Sequence, residues 1–348
     1  MSPKLDRSLI EGKGRLAGCI VGLAVGDALG YPHEFRRVAQ VRQELGPDGI
    51  TDFVALQDPR FTRPYILGKL HPPGTFTDDT QMSLALAEAL LEASTSDVER
   101  LMPVIARHFV KWYFSEDNNR SPGEATGIGC QALRSGTPWR QAGAAGSKGC
   151  GANMRVAPIG LFYEDLDEVC SVARAQAVLT HRHDAAIEGA AAAALLVALA
   201  LRDATPAQMH AEVMRRCGGR STDFDAVWIR VPSVVDADPD RVLVERGRTE
   251  VALGEGWVAE EAVAAALYCV WRFPDDYRAA VLLAANTDGD SDSLACIAGG
   301  ISGARLGIAA IPAGWVSGVE ASQHLKEVAA RLWAARCGRS RVCDQPSV

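Results

Sequence analysis

Glycine recurs at every fourth position in two places, Gly14, Gly18, Gly22, Gly26 and Gly30, and again Gly299, Gly303 and Gly307. On a helix, positions four apart lie on one face. A face without side chains is a flat groove that another helix backbone can approach closely. Each glycine costs a helix roughly 1 kcal/mol relative to alanine, so a row of them needs an offset, and close helix packing supplies it. In a bilayer the same spacing would mark a dimer seam. Asp27, Arg305 and the flanking charges argue against that setting.

The rest of the chain also reads as helix. Met82, Leu86 and Leu90 follow a capping-type start and predict a helix over Thr77–Ala93. Further helices are expected over Asp97–Phe114, Asp184–Leu201, Pro206–Arg216, Ala259–Phe273, Ser293–Leu306 and Ser317–Ala335. Alternation with a period of two is scarce, and Val227–Val235 and Arg241–Val244 are the only strand candidates. The stretches 35–72 and 114–156 read as loops with short helical turns, and loops that long in a compact domain are often functional. Residues from Cys337 onward read as a frayed tail. With 348 residues and no repeat or linker, the length fits one large domain or two medium ones.

Composition removes several functions. At 48% apolar and 23% charged, the chain is neither disordered nor fibrous. A net charge of -7 disfavours nucleic-acid backbone as a partner, and 6% aromatic residues disfavour a base-stacking platform. The nine cysteines are widely spaced, without C-x-x-C, which points to reduced cytosolic thiols rather than a disulfide framework or a zinc site. Leu16-Ala17-Gly18-Cys19 spells a lipoprotein cleavage box, but charged residues precede it where an apolar stretch is required. Gly189–Leu201, the longest other apolar run, is too short to span a bilayer. The expectation is a cytoplasmic protein with no membrane partner.

Two acidic clusters carry the chemistry, Gly74–Thr80 (GTFTDDT) and Asn286–Ser293 (NTDGDSDS), each entering a predicted helix. A helix cap needs one such residue. Neighbouring carboxylates repel, so clusters of two or three exceed that need. Gathered hard oxygens suit Mg²⁺, Mn²⁺ or Ca²⁺ rather than zinc. An EF-hand is excluded, since apolar Leu294–Ile297 stands where that loop needs its closing Glu. The loop Ser147–Arg155 offers backbone N–H groups suited to a phosphate, yet lacks the Gly-Lys-Ser/Thr ending of a P-loop. His181 and His183 alone read as caps or surface residues. Cys150 beside them has no evident orienting partner for a nucleophile's role.

Taken in order, these segments resemble the ADP-ribosylglycohydrolase family, which includes the dinitrogenase-reductase-activating glycohydrolases and the ADP-ribosyl-acceptor hydrolases. The resemblance runs from Arg15 to Trp315. It is carried by Gly22–Phe35 (GLAVGDALGYPHEF), Phe76–Thr80, Gly151–Gly160 (GANMRVAPIG), Thr180-His181, Gly256–Ala262 (GWVAEEA), and Gly289–Ser293 with Ala298–Ala304 and Ile311-Pro312. Each element alone is weak; six in family order are specific.

The resemblance implies an all-α, single-domain compact helical bundle over residues 10–335, a C-terminal tail over 336–348, and two Mg²⁺ or Mn²⁺ ions in a cleft. By position, Thr77, Asp78, Asp79, Asp290, Asp292 and Ser293 would be the ligands. Glu34 matches an acidic residue near the metals, and Glu34, or failing it Asp78 or Asp79, would be the acid/base. Gly149, Cys150, Gly151, Asn153, Met154 and His181 would hold the ADP-ribose. The implied reaction hydrolyses the glycosidic bond between ADP-ribose and a modified acceptor, such as a protein arginine, and releases ADP-ribose. The chain is long enough to bury its own core, so a monomer is expected. The rival readings are a two-metal phosphohydrolase acting on the diphosphate and a non-catalytic ADP-ribose-binding relative. Three departures stand out. Ser293 replaces Thr and keeps the hydroxyl, Cys150 replaces Asn, and Asp288 replaces Gly and is expected to perturb the metal charge balance.

Overall fold

In the computed structural model, which describes residues 3–54, 71–120 and 122–343, the two glycine ridges lie against each other. The first helix, Pro3–Gly30, packs on the helix Ser291–Leu306. Gly18 abuts Gly303, Gly22 abuts Gly299, Gly26 abuts Ala295 and Gly30 abuts Ser291. Numbers rise on one helix as they fall on the other, so the pair is antiparallel. A methyl group at any of these four positions would run into the facing backbone carbonyl. Gly14 shares the spacing but meets nothing, and Gly307 ends the second helix at φ +78°. The antiparallel arrangement sets the turn after the first helix, with Glu34, beside the start of the second, with Asp290, Asp292 and Ser293.

Most predicted helices form within a residue or two, as Asp78–Ala93, Val98–Tyr113, Asp184–Ala200, Pro206–Cys217 and Ala259–Arg272. Asp184–Ala200 is apolar on nearly every face and correspondingly buried all round. Both strand candidates are helical instead. Val227–Val235 falls in Thr222–Trp228 and Val231–Val234, and Arg241–Val244 overlaps Pro239–Val242. Ser221 and Asp238 cap two of these helices, and prolines stand in the first turn of two, where the missing N–H costs nothing. No strand occurs among the described residues, which contain two isolated bridges, Ala144 with His181 and Gly149 with Val258.

The stretches read as loops contain the helices Val38–Leu45 and Glu124–Arg134, and residues 55–70 of the first lie outside the described residues. Leu166–Val178 and Tyr277–Ala285 are further helices without a clear sequence signal. The helix expected over Ser317–Ala335 is broken near Ala321, at φ +51°, into Ala313–Gly318 and Ser322–Cys343. The last helix therefore continues through the start of the expected tail, of which 344–348 lie outside the described residues. One hydrophobic core runs from Leu16 to Leu332 without division, so the chain is a single all-α domain. Among the described residues, no helix is long and apolar enough to cross a membrane.

Candidate active site

The first acidic cluster is fixed from below by Asp27, a fully buried carboxylate on the first helix. Asp27 accepts from the Thr77 N–H at 2.9 and 3.0 Å, the Thr80 N–H at 3.1 Å and the Thr80 hydroxyl at 2.6 Å. It thereby caps the helix Asp78–Ala93 from outside and sets the direction of Asp78 and Asp79. The Thr77 hydroxyl lies 2.9 Å from Asp27 Oδ1 and 3.1 Å from Asp79 Oδ2, one proton between two carboxylates. Burial, and then the charge of Asp292, push the Asp27 carboxyl up to about 7.

The second cluster enters the helix Ser291–Leu306 through Gly289, at φ +100°, where a side chain would strike Glu255 and Trp257. Asp290 caps that helix by accepting from the Ser293 N–H at 3.2 Å. Phe35 donates its N–H to the Gly289 carbonyl at 2.9 Å and so ties the Glu34 turn to this loop. Glu34, Asp290 and Asp292 consequently bring carboxylate oxygens within 4.8 Å of one another. With Asp78, Asp79 and Ser293 they line one cavity of about 450 Å³. Thr77 does not line it.

Glu34, Asp78, Asp79, Asp290 and Asp292 crowded in one cavity, with Glu124 also on its lining, are electrostatically costly. Burial and mutual repulsion push Asp79 and Asp290 well above the usual carboxylate range. Asp79 is 3% exposed, and its Oδ1 has no hydrogen-bond partner. An all-oxygen acidic donor set with such an orphaned atom fits a hard divalent cation, whose charge would let these groups ionise together.

The adjoining wall is the loop from Gly149. Its backbone pairs with the Trp257 segment, Cys150 N–H to the Trp257 carbonyl at 3.2 Å and Ala259 N–H to the Lys148 carbonyl at 2.7 Å. Lys148 Nζ reinforces this at 2.6 Å from Glu260 and 2.9 Å from Asp223. Gly149, Cys150, Gly151, Met154 and His181 all line the cavity. Gly149 and Gly151 lie against the imidazole, and a Cβ on either would sit 3.2 or 3.0 Å from a ring atom. Asn153 is turned away. Its Nδ2 donates to the Ala259 carbonyl at 2.8 Å, so it fixes the loop rather than facing the cavity.

Arg155 sets His181. This fully buried guanidinium donates to Gln176 Oε1 at 2.9 Å and to Thr180 Oγ1 at 2.7 Å, and stacks 4.5 Å over Phe109. Thr180 Oγ1 in turn lies 2.8 Å from His181 Nδ1. Arg155 thus fixes the Thr180 hydroxyl, and through it the orientation of the His181 ring. Burial and then Arg155 push the imidazole down to about 3, so it is neutral.

One expectation is corrected here. Asp288 does not enter the cavity. It accepts from the Val38 N–H at 2.7 Å and pairs with Arg248 at 3.1 Å and Arg37 at 3.5 Å, lining a separate, smaller hollow. Its charge is met there, away from the acidic cluster of the cavity. Cys150 turns its sulfur to Asp290 Oδ2, at 3.0 Å, and burial pushes its thiol well up, the reverse of what a nucleophile needs. Asp27 and Arg155 are the residues sequence reasoning passed over. The signal for Asp27 was a lone charge within the glycine-rich apolar stretch of the first helix. Arg155 stood in the quoted GANMR segment without a role.

The sequence profile of the ADP-ribosylglycohydrolase family matches residues 10–341. The chain belongs to the ADP-ribosylglycohydrolase family. Membership makes it an enzyme, a hydrolase of glycosidic bonds. An uncharacterized protein of Archaeoglobus fulgidus is 35% identical, over 92% of this chain and 96% of its own. The ADP-ribosylarginine hydrolase Tri1 of Pseudomonas putida is 28% identical, over 92% and 78%. The ADP-ribosylhydrolase ARH3 of Mus musculus is 25% identical, over 91% and 90%. A solved ADP-ribosylglycohydrolase-related protein complex superimposes with a TM-score of 0.73 at 27% identity, over 94% of this chain and 99% of its own.

Proposed function

We propose that this glycohydrolase depends on two divalent ions, Mg²⁺ or Mn²⁺, and removes ADP-ribose from a modified acceptor, foremost a protein arginine. The observation that carries the reading is the convergence of Glu34, Asp290 and Asp292 within 4.8 Å, beside the orphaned Asp79 oxygen. Asp78, Asp79, Asp290, Asp292 and Ser293 hold the ions, and Thr77 supports them from behind the wall. When bound, such ions polarise ribose oxygens and lower the pKa of a water. The arginine assignment draws on the Tri1 relatives, named ADP-ribosylarginine hydrolases.

The chain's own groups do the rest. The Gly149–Gly151 loop and the neutral His181 imidazole, which line the cavity together, hold and orient the ADP-ribose. Glu34 is half-buried, at the end of the cluster next to the open rim made by Phe35 and Trp257. As the acid/base it takes the proton of the attacking water and delivers it to the departing acceptor atom as that atom's bond to the anomeric carbon breaks, which leaves ADP-ribose intact. Residues 10–335 form the catalytic unit, acting as a monomer in a reducing cytoplasm. Cys19, Cys130, Cys150, Cys170, Cys217, Cys269, Cys296 and Cys337 are free thiols, in keeping with that compartment.

Glu34→Gln is the test of this division of labour. General-base loss costs about 10²–10⁴-fold in rate, whereas ADP-ribose affinity by calorimetry stays within a few-fold, because the Gly149–Gly151 loop and His181 are untouched. Full activity in Glu34→Gln would remove Glu34 from the mechanism.

A further inference from the structure

We propose that the thiol of Cys150 is a direct metal contact, which makes this centre a mixed oxygen–sulfur site that takes up thiophilic divalent ions, Co²⁺, Zn²⁺ or Cd²⁺, in competition with Mg²⁺. The inference rests on the reading of the acidic cluster as a cation site.

The geometry is that of two neighbouring ligands. Cys150 Sγ lies 3.0 Å from Asp290 Oδ2 and 3.5 Å from Ser293 Oγ. With metal–sulfur and metal–oxygen bonds of about 2.3 and 2.1 Å, ligands at a right angle around one ion stand about 3.1 Å apart. The Cys150–Asp290 separation matches that edge. The independent sign of a ligand is Asp79, 3% exposed, lining the same cavity, with an oxygen that nothing in the protein satisfies.

A second soft atom stands on this wall. Met154 Sδ is 3.8 Å from Ser293 Oγ, and Met154 also lines the cavity. Its backbone is held to Cys150, with Asn153 N–H and Met154 N–H donating to the Cys150 carbonyl at 2.6 and 3.2 Å. Sulfur ligands favour soft and borderline ions over Mg²⁺, which prefers oxygen and retained water. On binding, the Sγ–H proton leaves to solvent and the sulfur lone pair forms the bond to the ion. No oxidation state changes.

The test is a titration of the metal-free full-length protein with Co²⁺ and Cd²⁺. Co²⁺ reports its own binding by visible d–d absorption and a thiolate contact by a near-ultraviolet sulfur-to-metal charge-transfer band. The proposal expects both in the wild-type protein. Cys150→Ser, nearly isosteric, keeps the visible bands, loses the charge-transfer band, and weakens Cd²⁺ binding by about 10-fold or more. Cys296→Ser, a buried thiol whose sulfur contacts the Met154 carbonyl at 3.5 Å instead, keeps both. Visible bands without charge transfer in the wild type would overturn the thiol contact and leave the cation site standing. No Co²⁺ bands at all would overturn both.

Discussion

Asp290→Asn lowers kcat/KM for ADP-ribosylated substrate by at least about 10²-fold and abolishes the rise in melting temperature that Mg²⁺ or Mn²⁺ gives the wild type. Asp79→Asn does the same. Both carboxylates are buried among like charges and both are pushed well up in pKa. Removing one charge takes away a ligand, and it also relieves repulsion in the metal-free protein. The metal-free variants are therefore at least as stable as metal-free wild type. That opposite sign separates a lost ligand from a damaged fold. Calorimetric melting with and without metal, beside the activity assay, checks it. A variant destabilised equally in both conditions would mean that these aspartates serve packing, not cation binding.

Gly26→Ala unfolds more readily than wild type by about 3 kcal/mol, at the upper end of the usual cost of overpacking, and it loses activity along with stability. Alanine is the better helix former, so local propensity predicts a gain of about 1 kcal/mol. A Cβ added to Gly26 would drive into the Ala295 carbonyl, and the two helices would have to separate. Separation moves Asp290 and Asp292 away from Asp27, Asp78 and Asp79, so the site suffers before the helix does. Gly14→Ala is the control. Nothing lies within 4 Å of its added methyl, and it gains up to about 1 kcal/mol. Urea unfolding of the two variants should therefore move in opposite directions. Equal shifts would show that the spacing, not the contact, sets their worth.

The same pair shows what the sequence can reveal about the fold. A period of four identifies a bare helix face, because side chains at that spacing share a side. It does not name the partner, and Gly14 satisfies the period although a Cβ there would meet open space. Capped amphipathic helices such as Asp78–Ala93 were legible for a local reason, since Thr77 and the leucine spacing act within a few residues. Val227–Val235 was misread because β-branched residues suggest strand locally, whereas caps and a proline-started turn against buried Trp228 hold it helical.

The candidate site divides in the same way. Acidic clusters reveal themselves by exceeding what a cap needs, so Asp78, Asp79, Asp290 and Asp292 were readable as chemistry. Asp288 lies two positions before Asp290 yet faces the other way, because Gly289 turns the chain at φ +100° between them. No spacing rule carries that sign. Asn153 sits among loop residues that line the cavity but spends its amide on Ala259. Asp27 and Arg155 act through Thr77 and Thr180, and such supports become visible only when distant segments meet.

The central claim is that this cavity cleaves a glycosidic bond with metal held by its carboxylates. Product analysis with an arginine-linked ADP-ribosylated protein, with Mg²⁺ or Mn²⁺ and with chelator, tests it most directly. Serine- and nucleotide-linked substrates run in parallel. The account predicts intact ADP-ribose and unmodified acceptor, released only with metal. Release of AMP would instead mark a phosphohydrolase, and no release from any linkage would mark a binding protein; either result contradicts the account.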